Sequence, residues 1–125
     1  MKLKDIFIAK QSLGKLAGLG MAPKTAYRVL KFARKFDIEH EIIEKQRNSI
    51  IEKLIEALSD EVTELKRGTP EFEEFVEKFN GVLEMDSELE VCPLKFDELL
   101  EAIGAEDKNV MSVGDLAVLE ILFEE

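Results

Sequence analysis

Few residues in this chain could do covalent chemistry, and the nearest approach to a catalytic motif is "GLGMAPKT" at residues 18–25. It has the spacing of a phosphate-binding loop, except that Pro23 stands where the second glycine belongs. Such a loop cradles phosphate with backbone N–H groups, and proline has none. It also follows a buried strand, whereas residues 13–19 read as the end of a helix. A helix-to-helix connection is expected here, and no cofactor.

His40 is the only histidine. A general base also needs a pocket and an oriented partner, and no Ser or Cys nucleophile stands at a recognisable site. Glu44, one turn on, can hold His40 as a pH-sensitive ion pair. Cys92 lies in an acidic run that disfavours its thiolate. One Cys and one His cannot build a zinc site. No catalytic residue and no metal ligand is predicted.

Carboxylates are abundant at Glu71, Glu73, Glu74 and Glu77, then at Glu84, Asp86, Glu88 and Glu90. Their spacing does not match a calcium loop. They form either a solvated acidic face or a surface that imitates nucleic acid and occupies a DNA- or RNA-binding protein.

The opposite charge gathers at residues 22–36, "APKTAYRVLKFARKF", with five cations and no anion in a chain of net charge −10. At about 100° per residue, Lys24, Arg28, Lys31 and Lys35 fall within about 60° of one another. Ala26, Val29, Leu30, Ala33 and Phe36 face the other way. Three roles stay open for this ridge: a solvated face, contact with the acidic part of this or another copy, and weak nucleic-acid binding. Only Tyr27 lies near its edge, so base stacking has little to work with. Nucleic acid is not the expected partner.

The elements that carry these residues read as mostly helical. The chain has 125 residues, 46% hydrophobic and 35% charged, with three Pro and seven Gly. That composition fits one globular domain spanning residues 1–125. No apolar run is long enough for a membrane span or a secretory signal, and a single cysteine fits a reducing cytosol. Residues 1–35 hold nine Lys or Arg against one Asp, a net of +8, and the remainder carries −18. Such polarity suggests head-to-tail attraction within the chain or between copies.

Asp5 is expected to cap a first helix over residues 6–16. Pro23 opens a second, and no Gly or Pro follows until residue 68, so one helix of about 65 Å is predicted over residues 23–67. Ala26, Val29, Ala33, Phe36, Ile43, Ile51, Leu54, Leu58, Val62 and Leu65 form its stripe. A compact domain of this size is about 35 Å across, so burial of the helix by a second copy is the economical expectation. Ile38 and Ile42 add apolar surface on the opposite side. His40, Glu44 and Arg47 lie on the stripe itself, where they either fix the register of a helical assembly or mark where the helix leaves the core. A third helix is capped by Thr69 and Pro70, with Phe72, Phe75, Val76, Phe79 and Leu83 as its buried face. A short edge strand is expected at residues 88–92, a short helix at 97–103 and a last helix at 112–123, capped by Ser112 with Asp115 three residues on. The fold class is mostly α: one long central helix, shorter flanking helices and a small edge-strand element.

The segment "PKTAY" at residues 23–27, then Phe79, Leu83, Glu88 and Glu90, and finally Asp115, Leu116 and Leu119, together resemble a family of small uncharacterised proteins of tailed bacteriophages and prophages. The resemblance spans most of the chain and implies phage origin and expression in the cytoplasm of a bacterial host. It implies no activity and no site residues. The expectation is a non-catalytic accessory or interaction protein that self-associates through its long helix. Its partner is a second copy, or a host or phage protein, and not a membrane. The ridge with Ile38, His40, Ile42, Glu44 and Arg47 forms its candidate contact surface.

Overall fold

The computed structural model describes residues 1–58, 64–104, 107 and 110–125. It is mostly helical: α1 (Leu3–Ala17), α2 (Pro23–Glu56), α3 (Pro70–Leu83), β1 (Cys92–Lys95), α4 (Phe96–Ala102), α5 (Val113–Glu120) and β2 (Phe123–Glu124). Ile6, Ala9, Leu13 and Leu16 bury one face of α1 at helical spacing. The helix starts three residues earlier than residue 6, so Asp5 is not its cap. Instead Asp5 stands in the first turn, and its carboxylate accepts the Lys2 N–H at 3.2 Å.

Helix α2 is the long central helix, and Pro23 occupies its first turn as expected. Its apolar face buries Val29, Phe32, Phe36 and Ile43 against the core, and Leu54 is buried near its end. It ends at Glu56 and not at residue 67. The N–H groups of Ala57 and Leu58 close back on the carbonyls of Lys53 and Ile55. The absence of a breaker only permits a helix; packing sustains it. At 34 residues α2 is about 51 Å long. Leu58 and Leu65 lie beyond its end, and Val62 falls outside the described residues. Helix α3 packs against α2, so the chain itself covers part of the stripe for which a second copy seemed needed.

At α3 the Thr69 hydroxyl accepts the Phe72 N–H at 3.2 Å, and Pro70 takes the first position. Gly68 has a φ of +84°, a left-handed conformation that favours glycine in the turn before the cap. Phe79 is buried, but Val76 is exposed, because it sits at the edge of the apolar arc. Ser112 caps α5 and exchanges hydrogen bonds with Asp115, as the spacing predicts.

The strand lies at Cys92–Lys95, overlapping the expected 88–92 only at Cys92, and pairs in parallel with β2. The Cys92 N–H donates to the Leu122 carbonyl at 2.8 Å. Successive N–H groups alternate in direction along a strand, so the nitrogen of Pro93 faces away from β2 and no ladder bond is lost. The expected last helix therefore stops at Glu120, and the chain straightens to bury Leu122 and Phe123 as β2. Helix α4 begins at Phe96 and releases Ile103 into extended backbone, bridged to Met21. The core is continuous across all of these elements; Ile6, Leu16, Phe36, Ile43, Cys92, Leu99, Leu119 and Leu122 are the largest of its fully buried side chains.

Candidate functional site

The basic ridge does not face open solvent alone. Arg28, Lys31 and Lys35, with Glu39 beside them on α2, form one wall of a groove of about 1200 Å³, and Glu88, Glu90 and Glu124 line the same groove. Phe32 and Leu89, both buried, form its apolar floor, and Ile38, Val91 and Pro93 line its exposed sides. Lys24 lies outside this lining, one turn before Arg28. Ile42 continues the line of Ile38 beyond the groove.

Each wall has its own scaffold. The cations ride on the outer side of α2, whose inner side is fixed by Val29, Phe32 and Phe36. Phe32 packs on Phe123 of β2 with ring centroids 5.9 Å apart. The acidic wall is held by the first residues of the chain. The Leu3 N–H donates to the Met85 carbonyl at 2.9 Å, and the Ser87 N–H donates to the Met1 carbonyl at 2.8 Å. Beside them Lys2 Nζ donates to Glu84 at 2.7 Å, which raises the lysine above its ordinary pKa and lowers the carboxyl below its own. The walls attract but do not touch. Among the described residues, no carboxylate oxygen comes within 4.0 Å of the Arg28, Lys31 or Lys35 side-chain nitrogens. Lys31 instead lies over the Tyr27 ring, 5.5 Å from its centroid.

His40 and Arg47 turn inward, toward the chain's own helices. The imidazole lies nearly parallel to the rings of Phe7 and Phe36, at 6.4 and 6.5 Å. Its Nε2 is 3.8 Å from Glu44. Arg47 sits over Phe75 of α3, 5.9 Å from the ring centroid. His40 and Arg47 therefore belong to the packing of α1, α2 and α3, Glu44 stands beside His40 with its side chain 41% exposed, and Ile38 and Ile42 remain 61% and 45% exposed.

The phosphate-loop-like segment forms the α1–α2 connection. Its Gly20 N–H, a donor such a loop would offer to phosphate, is taken by the Asp107 carboxylate at 2.8 Å. The Gly104 N–H donates to the Gly20 carbonyl at 3.0 Å. Cys92 is fully buried, and its thiol is pushed up to about 11, first by burial and then by the charge of Glu124. Burial, more than the acidic sequence around it, is what disfavours the thiolate.

One polar cluster extends a predicted cap, Ser112 with Asp115, into a link to α1 that sequence reasoning missed. Asp115 accepts hydrogen bonds from Ser12 Oγ at 2.7 Å, Lys15 Nζ at 3.1 Å, and the backbone N–H and hydroxyl of Ser112 at 3.1 and 3.0 Å. These donors hold its carboxyl far below the usual carboxylate range, Ser12 contributing most. So weak a base cannot activate Ser12, and the cluster acts as a clamp between α1 and α5. The sequence signal for that link is Ser12, three residues after Ala9 on the buried side of α1.

Among the described residues, no helix is long and apolar enough to cross a membrane, and no three His, Cys, Asp or Glu side chains converge as metal ligands would. The chain matches no protein-family model, no curated protein and no solved structure.

Proposed function

We propose that this chain is a non-catalytic interaction protein that associates with a second copy of itself through the outer side of α2. The observation that carries the reading is the pair of exposed isoleucines, Ile38 and Ile42, in line with three cations that pair with no carboxylate among the described residues. Positions 24, 28, 31, 35, 38 and 42 follow alternating steps of four and three residues. That is the spacing of a helix-pairing seam, with its apolar part at Ile38 and Ile42. An isolated exposed isoleucine needs no explanation, but two on adjacent turns beside unpaired charge favour a partner.

The side chains able to do chemistry are otherwise engaged, which supports the non-catalytic reading. Cys92 is sealed in the core, His40 lies between aromatic rings, and Ser12 donates to a carboxylate held ionised. The presence of Glu88, Glu90 and Glu124 in the groove with the cations favours a protein surface over phosphate as the counterpart. An accessory role in a phage-infected or prophage-bearing bacterium, suggested by the sequence motifs, is compatible with such a self-associating module.

Sedimentation equilibrium over a thousandfold range of concentration tests the reading. A reversible monomer–dimer equilibrium is expected, and a monomer mass at every concentration overturns it.

A further inference from the structure

We infer that the groove between α2 and residues 87–93 is one half of a two-fold interface, in which the basic wall of each copy pairs with the acidic wall of the other. The inference rests on the self-association proposed above and assigns its partner surface. It starts from three facts of the groove. The walls carry opposite net charge, with Arg28, Lys31 and Lys35 outnumbering Glu39 on the α2 side and Glu88, Glu90 and Glu124 on the other. A volume of about 1200 Å³ separates them. No ion pair within 4.0 Å joins them among the described residues.

A surface divided in this way is complementary to itself under one class of rotation. With a two-fold axis running along the groove, parallel to α2, the second copy's basic wall lies over the first copy's acidic wall, and the reverse holds on the other side. An axis across the groove would set like charge on like and is excluded by repulsion. Exposed Ile38 and Val91 line the same groove and add apolar surface to the charged contact. The long side chains of the ridge can then extend into the partner's groove, where the open volume receives them. Charge complementarity thus selects a second copy over an acidic ligand, because every polyanion that approaches the cations must also meet Glu88, Glu90 and Glu124.

Charge reversal separates this pairing from other modes of self-association. Lys31→Glu with Lys35→Glu removes four cross-pairings from a dimer, two in each copy. An exposed pairing is worth a factor of about 1.4 to 5 in affinity, so a loss of roughly fiftyfold is expected, with helical circular dichroism unchanged. Glu88→Lys with Glu90→Lys should weaken the homodimer similarly. Mixed together, the two variants present one predominantly acidic and one predominantly basic groove. They should form a heterodimer at least as tight as the wild-type dimer, and its affinity should fall as salt rises. Wild-type dimers whose affinity neither variant changes would leave self-association standing and overturn the groove pairing. Weakened homodimers without a heterodimer would overturn it also. A wild-type chain that stays monomeric overturns both readings.

Discussion

Truncating Ile38 and Ile42 together is the most direct perturbation of the proposed interface. The two side chains are 61% and 45% exposed, so between them about one isoleucine's worth of surface remains in water. Burying a whole isoleucine is worth ~1.5–3 kcal/mol. A symmetric dimer counts that surface twice, so about 3–6 kcal/mol of association depends on it. Alanine keeps the Cβ and forfeits about two thirds of this, which raises Kd by roughly 30- to 1000-fold. Alanine is also the better helix former, so α2 itself should not weaken. Sedimentation equilibrium of the double variant I38A/I42A against wild type reads the change, with circular dichroism to confirm the fold. Ile8 on α1, 52% exposed and outside the groove, provides the control, since I8A should leave Kd unaltered. An unaltered Kd in I38A/I42A, with helicity intact, refutes the use of α2 as the association surface.

Three further outcomes follow from the interior. Phe36 is fully buried between Phe32 and His40, so Phe36→Ala should cost about 3–5 kcal/mol. For 125 residues that lowers Tm by about 11–19 °C by circular dichroism; a shift under a few degrees would contradict the packing. Asp115 has a folded pKa below its unfolded value, so the clamp stabilises fully above the ordinary carboxylate pKa and fades as pH falls toward the folded one. Urea midpoints of wild type and D115N should therefore differ most above about pH 5 and converge in acid; a gap that widens in acid reverses the sign and rejects the clamp. Cys92 rises from 9.0 to about 11, so at pH 8 its thiolate fraction falls roughly a hundredfold. Reaction with a disulfide reagent should be slower than in the urea-unfolded chain by at least that factor, and equal rates would place the thiol outside the core.

Local signals carried well from sequence to structure where one short motif decides the outcome. Thr69-Pro70, Ser112 with Asp115, and Pro23 at the start of α2 are all helix starts, set by hydrogen bonds within a single turn. Outcomes that depend on partners far along the chain did not carry. Nothing in residues 57–67 forbids helix, so the end of α2 was invisible without α3 packed beside it. The sequence of Cys92–Lys95 is a poor strand because of Pro93, and it becomes one only because residues 122–124 arrive alongside. Those same residues look helical by apolar content, and only the buried pair Leu122 and Phe123 shows why they straighten.

The candidate surface divides in the same way. Periodicity alone placed Lys24, Arg28, Lys31 and Lys35 on one outward ridge and Ile38 and Ile42 opposite the apolar stripe, because a helix surface is fixed by residue spacing. It could not say that His40 and Arg47 would be occupied by Phe7, Phe36 and Phe75, since two of those rings belong to other helices. Nor could it bring Glu88, Glu90 and Glu124 beside the ridge. That juxtaposition needs residues 1–3 to hold the segment at 85–87 and β2 to return beside β1. The charge asymmetry was legible as a total, +8 against −18, but its meaning is geometric. Opposite charges within contact distance would have neutralised one another and left an inert face. Held apart across a groove, they leave both walls unsatisfied and oppositely signed, which is the condition under which a second copy of the same surface becomes the complementary one.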